Sequence, residues 1–437
     1  MERKMNSNTY PDGISAPSVP GTAKAEQRRA AAAGMVGYIL EWFDFGIYGF
    51  LAPIIAQNFF PAHDSVTSLL VAFAVFGVGC VARPIGSVVL GRIADVKGRH
   101  GALATTMILM AASTVMMGLL PTYSQIGIAA PILLVAARLL QGFAAGGEWG
   151  TAAAFLVEWG GSNRRGFLGA FQQSSIAAGL MLASFVAAVL STFIGHDGLA
   201  AWGWRIPFIL GIVLGPIGFY VRRNVKESPM FIKAAQSTEK ISNVLFWKSV
   251  LHGFCFLVLW FVSSYMVCVY MPSFAARYAH ISETASLWAG SLSLAAVAVL
   301  TPLAGLLSDR IGRKPLLLGS CLFFVIFSYP AYRLIVAGIG VGNYMLVQML
   351  LTLAFILFSG CGPAALAEMF PTKVRSLGVS IGGGVASILG GFTPFLTTWT
   401  ISLTGSSASA GWLLAGSAAL TLPVVIVMHD RSKQVEI

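Results

Sequence analysis

Glu41, Asp44 and Tyr48 share one face of the segment Ala31–Ala56, which is otherwise apolar. At 100° per residue the three fall within about 60° of a single helical stripe. An acid near the centre of a membrane helix costs about 2.5–3.5 kcal/mol on insertion scales. Two carboxylates in such a place suit proton carriage. Burial and a neighbouring acid both favour the protonated form, so the pair can take up a proton on one side of a membrane and release it on the other. The plainer reading is a structural pair that bonds neighbouring helices.

A second polar stripe contains Arg138, Gln141 and Glu148, within about 80° of one another. Between them Phe143-Ala144-Ala145-Gly146-Gly147 is nearly all small. Small residues let helix backbones approach, and polar residues bond across the contact. Arg138 and Glu148 are separated by ~15 Å along a helix axis, so each needs another partner. Glu148 suits packing or a gate at the inner end.

Arg83 precedes Pro84 in a further apolar segment. A guanidinium in a membrane keeps its charge and requires an anion, which Asp44, Glu41 or a substrate could supply. An arginine that trades a protein carboxylate for a substrate carboxylate would couple binding to protonation. Snorkelling to the interface is the bland alternative.

Gln172 and Gln173 project about 100° apart, so at most one points squarely into a cavity. Trp260, Ser263, Ser264, Tyr265 and Tyr270 give another segment polar and aromatic surface. The candidate substrate contacts are therefore Arg83, Arg138, Gln141, Tyr48, Gln172 and Tyr270, with Glu41 and Asp44 as candidate proton carriers.

The elements that must hold these residues follow from composition. The chain has 437 residues, 56% hydrophobic and only 10% charged, with mean hydropathy +0.78. Soluble domains carry nearer ~25% charged residues. With about 20 apolar residues per span, twelve spans are expected. They run at roughly 32–56, 67–91, 101–120, 127–155, 167–194, 203–221, 250–274, 286–307, 315–336, 343–366, 377–400 and 409–428.

Net charge +11 does not indicate nucleic acid, because of where the charges lie. Arg277 and Arg333 alone fall in the odd-numbered connections, and Arg83, Arg138 and Arg205 lie in or at the edges of spans. The other Lys and Arg occupy the tails and even-numbered connections, which by the positive-inside pattern makes both termini cytoplasmic. Residues 1–31 read as a disordered cytoplasmic tail rather than a signal peptide. The five cysteines all lie in apolar spans without a CxxC pair and read as small hydrophobes, and no metal constellation appears. Trp202 and Trp204 suggest an interfacial belt. The histidines fall near span ends or in loops, and none is assigned a proton relay.

The chain repeats itself. Gly91–His100 reads GRIADVKGRH and Gly305–Lys314 reads GLLSDRIGRK, sharing G-x-x-x-D-x-x-G-R. Glu158 and Arg165 in the first half are echoed at the same spacing by Glu368 and Arg375 in the second. Ordered repeats of this kind indicate two six-helix halves in parallel repeat. The expected division is an N-terminal bundle at 32–221, a basic cytoplasmic linker at 222–249, a C-terminal bundle at 250–429 and a short tail at 430–437.

These motifs make the chain resemble the major facilitator superfamily, and within it the mostly bacterial metabolite:proton symporters. The resemblance is carried by EWFDFGIYG (Glu41–Gly49), ARPIG (Ala82–Gly86), RLLQGFAAGGEWG (Arg138–Gly150), WGWRIPF (Trp202–Phe208), ESPMF (Glu227–Phe231), YMP (Tyr270–Pro272), EMFPTKVRSLG (Glu368–Gly378) and GGFTP (Gly390–Pro394). His100 departs from the usual Arg or Lys that ends the loop motif.

The resemblance implies an all-α integral membrane protein of major facilitator fold, monomeric, in a bacterial inner membrane. It implies symport of a small metabolite with protons by alternating access, with no cofactor beyond the proton gradient. It also implies that Asp95, Arg99, Asp309 and Arg313 latch the outward-facing state, with Glu158, Arg165, Glu368 and Arg375 placed to join them. Likeness around IGIAAP, GHD and GGFTP, together with the two buried arginines, favours a di- or tricarboxylate. Proline, betaine and shikimate-like acids are the alternatives. The stretch after His429 has no heptads, which argues against osmotic sensing. A membrane enzyme would need a nucleophile or metal motif such as H-E-x-x-H, and none is visible. A sensor would need a signalling domain. No G-x-x-x-x-G-K-[ST] motif indicates direct nucleotide drive.

Overall fold

The structure, a computed structural model, describes residues 20–62, 64–97, 99–146, 164–212, 243–369, 372–428 and 430. Side chains of 20–34, 91, 94–97, 99–104, 243–246 and 372–381 lie outside the description. Among the described residues every regular element is a helix. The first half contains α1 (Pro20–Phe50), α2 (Ala52–Phe59), α3 (Ser65–Lys97), α4 (Arg99–Leu119), α5 (Tyr123–Ile126), α6 (Ala129–Ala145), α7 (Arg165–Gly198) and α8 (Arg205–Ile209). The second contains α9 (Asn243–Ser263), α10 (Met271–Tyr278), α11 (Glu283–Ile311), α12 (Lys314–Val336), α13 (Gly340–Met369), α14 (Thr372–Gly391), α15 (Thr393–Thr404) and α16 (Ala410–Val427).

Seven of the described helices are long and apolar enough to cross a membrane, or eight if the bent pair α1–α2 counts as one span. Two shorter apolar helices, Thr105–Leu119 and Ala129–Ala145, occupy the third and fourth expected spans. The eleventh is divided between α14 and α15, and the sixth is described only as far as residue 212. The expected linker 222–249 lies largely outside the described residues.

Local chemistry explains the breaks. Pro53 has no N–H to donate, and the chain bends by 60° between Met35–Phe50 and Ala52–Phe59. Pro394 follows the break at Phe392 in the same way. Gly195, at φ +69, interrupts the end of α7. Pro272 likewise lacks an N–H and crowds the carbonyl four residues back; just before it, Ser264–Tyr270 widens into a π-helix joining α9 to α10.

Burial separates central from peripheral helices. In the span Trp247–Tyr278, 83% of the most apolar window is buried, against 39% in Ser407–Val427, which presents its sides to lipid. Trp204, expected at an interface, is buried edge-on against Phe59 and Phe208 at 5.5 and 6.1 Å, while Trp202 is exposed. The alternating rings of the WGWRIPF stretch thus serve core and surface separately.

The halves meet along two seams. α7 runs antiparallel to α11: Gly166 faces Gly305, Ser174 donates to the Ala298 carbonyl, Ser184 donates to Leu287 O at 3.0 Å, and Ser191 meets Thr284 at 2.7 Å. Small and hydroxyl side chains permit this approach, which lipid gives no hydrophobic reason to form. At the second seam Gly77 packs on the Phe392 ring and Gly391 on Cys80, so α3 lies against α14 and α15.

Candidate substrate and coupling site

α3 and α6 touch backbone to backbone. A Cβ on Gly142 would fall on the Gly79 carbonyl, one on Gly86 on the Phe143 carbonyl, and one on Gly146 on the Arg83 carbonyl. This contact, made possible by the small-residue run, sets Arg83 opposite Gly146 and Arg138 opposite Gly79 on neighbouring helices, with both guanidinium groups over the Phe45 ring.

Arg138 is fully buried. Its guanidinium carbon lies 4.2 Å from the centre of the Tyr48 ring, 4.8 Å from Phe45 and 5.0 Å from Phe76. It donates to Gln141 Oε1 at 2.5 Å and to the Phe76 carbonyl at 3.4 Å, and its Nε–H has no partner. No carboxylate among the described residues lies within ion-pair distance of it. Gln141 continues the network, donating to Thr114 Oγ1 at 3.0 Å and to the Asp44 carbonyl at 3.3 Å. Tyr48 donates to the Ala72 carbonyl at 3.0 Å, fixing the ring on which Arg138 rests.

Arg83 lies over Phe45 at 4.6 Å and Trp42 at 5.6 Å. It sits within electrostatic reach of Tyr265 and of Glu41. Glu41 and Asp44, predicted to share one stripe, therefore face different neighbours. The Asp44 carboxyl is buried against Thr114 of α4 and looks toward Gly211, and its Oδ1 has no hydrogen-bond partner. No cation among the described residues is within ion-pair distance of Asp44.

At the loop-motif end a second polar cluster joins the halves. Asp309 Oδ1 and Oδ2 each accept a backbone N–H from the start of α7, from Gly166 and Phe167, both at 2.9 Å. Arg313, fully buried, donates to Asp309 at 2.7 Å, to Ser308 at 2.8 Å and to Glu368 at 3.2 Å. An anion at a helix N-terminus meets unpaired N–H groups and the positive end of the helix dipole. Arg165, at the same helix start, lies within electrostatic reach of Glu368.

Residues 30–253 match the family described as "Sugar (and other) transporter", and residues 254–436 match "Major Facilitator Superfamily". A citrate-proton symporter of Salmonella typhi is 34% identical over 417 residues, covering 94% of this chain and 96% of the relative. A proline/betaine transporter of Escherichia coli (strain K12) is also 34% identical, covering 93% and 84%. The chain belongs to the major facilitator superfamily. Solved structures agree on the fold. A D-xylose-proton symporter superposes with TM-score 0.73 at 18% identity, covering 93% of this chain and 98% of that one. The E. coli xylose transporter XylE gives 0.76 at 16% identity, covering 93% and 99%.

This major facilitator is therefore a multi-pass membrane protein of a transporter family and not an enzyme. Its relatives place it among the metabolite:proton symporters. Of the predicted residues, Arg83, Arg138, Gln141, Tyr48, Glu41 and Asp44 converge on one region, and Asp309, Arg313, Glu368 and Arg165 on another. Tyr270 stands apart from the arginines, bonded to Thr398 at 3.0 Å and edge-on to Phe73 at 5.4 Å. Gln172 is buried, but its neighbour Gln173 crosses to the second half, accepting the Trp260 indole N–H at 3.0 Å. Glu148 and Glu158 lie outside the described residues, as do the side chains of Asp95, Arg99 and Arg375.

Three features carried no advance signal. Phe45 and Phe76 are phenylalanines in apolar segments. Thr114 is a single hydroxyl in an apolar helix. His196, exposed as expected, pairs with Glu283 at 2.7 Å across the α7–α11 seam. That pair edges a cavity of about 1090 Å³ at the end opposite the loop motifs, lined by Gln57, Ser68, His196, Arg277, His280 and Glu283 among others.

Proposed function

We propose that this protein is a proton-coupled symporter that imports a small di- or tricarboxylate by alternating access between its halves. The observation that carries the reading is Arg138. A permanently charged, fully buried guanidinium with no carboxylate among the described residues within ion-pair distance, one helix away from Arg83, is built to receive an anion. The citrate symporters among its relatives support that choice.

The proline/betaine relatives, at equal identity, support a zwitterion instead. An aromatic box is also a recognised seat for a quaternary ammonium. Here, however, the faces of Phe45, Tyr48, Phe76 and Trp42 are already covered by two guanidinium groups. A cationic head would meet like charge there, and a carboxylate would meet opposite charge.

The two acids of the first span take separate roles in this reading. Asp44, enclosed and with no cation among the described residues within ion-pair distance, carries the proton. Glu41 neutralises Arg83 until substrate arrives. The termini face the cytoplasm, so the Asp309 cluster closes the inner side and the cavity near His196 opens outward. The chain acts as a monomer in a bacterial inner membrane.

The test is uptake in a transporter-deficient bacterial host of citrate, 2-oxoglutarate, tricarballylate, shikimate, proline and betaine, with and without an imposed pH gradient. Gradient-driven uptake of a carboxylate, reduced in Asp44→Asn to exchange alone, is expected. Uptake of betaine or proline only would overturn the substrate class, and uptake indifferent to the gradient would overturn proton coupling.

A further inference from the structure

Arg277 is a cation that the proposed coupling site does not use. With Arg333 it is one of two basic residues in the odd-numbered connections, where the positive-inside pattern makes arginine scarce. It lies in the last turn of α10 and lines the cavity of about 1090 Å³ at the end opposite the loop motifs. Among the described residues lining this cavity it is the one Arg or Lys, and the one carboxylate, Glu283, is bonded to His196 at 2.7 Å. The Arg277 Nη2–H crosses from the second half to the first and donates to the Ser65 hydroxyl at 2.9 Å. No carboxylate among the described residues lies within ion-pair distance of it. Asp64, the neighbour of Ser65, is within electrostatic reach. Its oxygens, however, cap α3, accepting the N–H groups of Val66 and Thr67 and the Thr67 hydroxyl, each at 3.1 Å. The turn after Arg277 belongs to the same wall. His280 follows the end of α10 with φ +54, and among the described residues it is the one non-glycine in the left-handed region. Glycine takes such a C-terminal turn without strain and is usual in it. The histidine held there adds an imidazole to the cavity wall that carries the guanidinium.

We infer that Arg277, with His280 beside it, forms an outer docking site for a carboxylate of the substrate, occupied before the substrate reaches Arg138 and Arg83. The inference rests on the proposed carboxylate reading and orientation. The partner of Arg277 in the structure is a neutral hydroxyl, which accepts one hydrogen bond from it. A carboxylate accepts two in parallel, both charge-assisted, so an incoming carboxylate takes the guanidinium from Ser65. The exchange also breaks the bond that Arg277 makes between the halves at this cavity. The outer site thus raises the chance that an anion entering the cavity stays long enough to pass inward, and the deeper arginines hold it for transport.

The full-length protein in proteoliposomes is assayed for gradient-driven uptake of radiolabelled citrate, 2-oxoglutarate and betaine at low and high ionic strength. Arg277→Gln should lower uptake at limiting citrate about threefold to tenfold and leave the saturating rate as in wild type. It should also lose the wild-type sensitivity to salt, because a solvent-facing charge pair is screened. Arg277→Lys, which keeps the charge, should regain that sensitivity. Ser65→Ala frees the guanidinium and should raise uptake at limiting citrate about twofold, which tests the site should Arg277→Gln not accumulate. His280→Gly relieves the turn, so it should raise the melting temperature while lowering uptake at limiting citrate, a pairing that a purely structural residue would not show. Arg333→Gln, at the other outer cation and outside the cavity lining, should behave as wild type. Titration calorimetry of the purified protein with citrate isolates the outer site: Arg138→Met should keep weak binding that Arg138→Met/Arg277→Gln loses.

Equal citrate binding by the single and double variants, or none by either, overturns a separate outer site. A saturating rate that falls in Arg277→Gln with uptake at limiting citrate falling only in proportion assigns Arg277 to gating and overturns docking. In both cases citrate uptake by the wild type still upholds the carboxylate reading. Wild-type uptake of betaine alone overturns the di- or tricarboxylate reading, and the outer site falls with it if Arg277→Gln leaves betaine uptake unchanged. Wild-type uptake of none of the three overturns both.

Discussion

The Asp309 carboxylate of the second half caps the helix that begins beside Gly166 of the first, accepting its N–H at 2.9 Å. One carboxylate therefore ties the halves together while also bonding Arg313 at 2.7 Å. Asp309→Asn preserves shape but removes the charge from the helix N-terminus, an interaction of about 1–2 kcal/mol in a partly buried setting. The balance should shift toward the state open at this end by roughly tenfold, with substrate affinity little changed. Labelling of a cysteine placed at Gln57, in the cavity at the opposite end, by a membrane-impermeant maleimide reports the shift. Unchanged labelling would show that Asp309 does not hold the halves.

Arg138 offers a second prediction in which stability and activity move oppositely. Among the described residues Arg138 has no counter-ion within ion-pair distance, and a buried charge so placed is destabilising and tolerated only where function requires it. Arg138→Met should abolish uptake yet raise folding stability by about 1–3 kcal/mol. Thermal melting in detergent beside an uptake assay measures both. A lower melting temperature would mean that Arg138 is neutralised by an anion in the resting protein.

The α3–α6 contact is tested by a single methyl group. Gly142→Ala drives a Cβ into the Gly79 backbone, and overpacking of this kind costs about 1–3 kcal/mol or more. Melting temperature and uptake should both fall, since the same contact aligns Arg83 with Arg138. Gly319→Ala, where a Cβ meets nothing within 4 Å, should be neutral or mildly stabilising by comparison.

Asp64 supplies a pH dependence. It lies in the loop before α3 and accepts the N–H groups of Val66 and Thr67, each at 3.1 Å. The backbone N–H of Val66, then that of Thr67, hold its carboxyl below the usual carboxylate range. A group with a depressed folded pKa contributes stability above its unfolded pKa and loses that contribution as pH falls through the folded value. The melting temperature of Asp64→Ala should therefore lie below wild type at neutral pH, and the gap should close on acidification through and below the carboxylate range. A gap that persists at low pH would assign the effect to packing.

Much of this protein is written along the chain. Continuous apolar segments dictate helices of membrane length, because a backbone in hydrocarbon must satisfy its own hydrogen bonds. Small residues between Arg138 and Glu148 announced a close helix contact, and one now stands between α3 and α6. The repeated loop motif anticipated that Asp309 and Arg313 would act together at a helix end. The acids of the first span were visible as anomalies, as was the need of each arginine for an anion.

Partner choice was decided only in three dimensions. Glu41 and Asp44 lie on one stripe by helical geometry, yet Glu41 faces Arg83 and Asp44 faces Thr114. A stripe about 60° wide spans the boundary between two neighbouring helices, and the rotation of α1 settles which acid meets which neighbour. Likewise Gln173, rather than Gln172, reaches Trp260, and Tyr265 rather than Tyr270 packs against Trp42, Phe45 and Phe76. Hydropathy and spacing are properties of a single helix, whereas these pairings depend on how closely glycine contacts let separate helices approach. That is why the sequence by itself determined the spans, the repeat and the chemically costly residues, and why only the tertiary structure decided which of them meet.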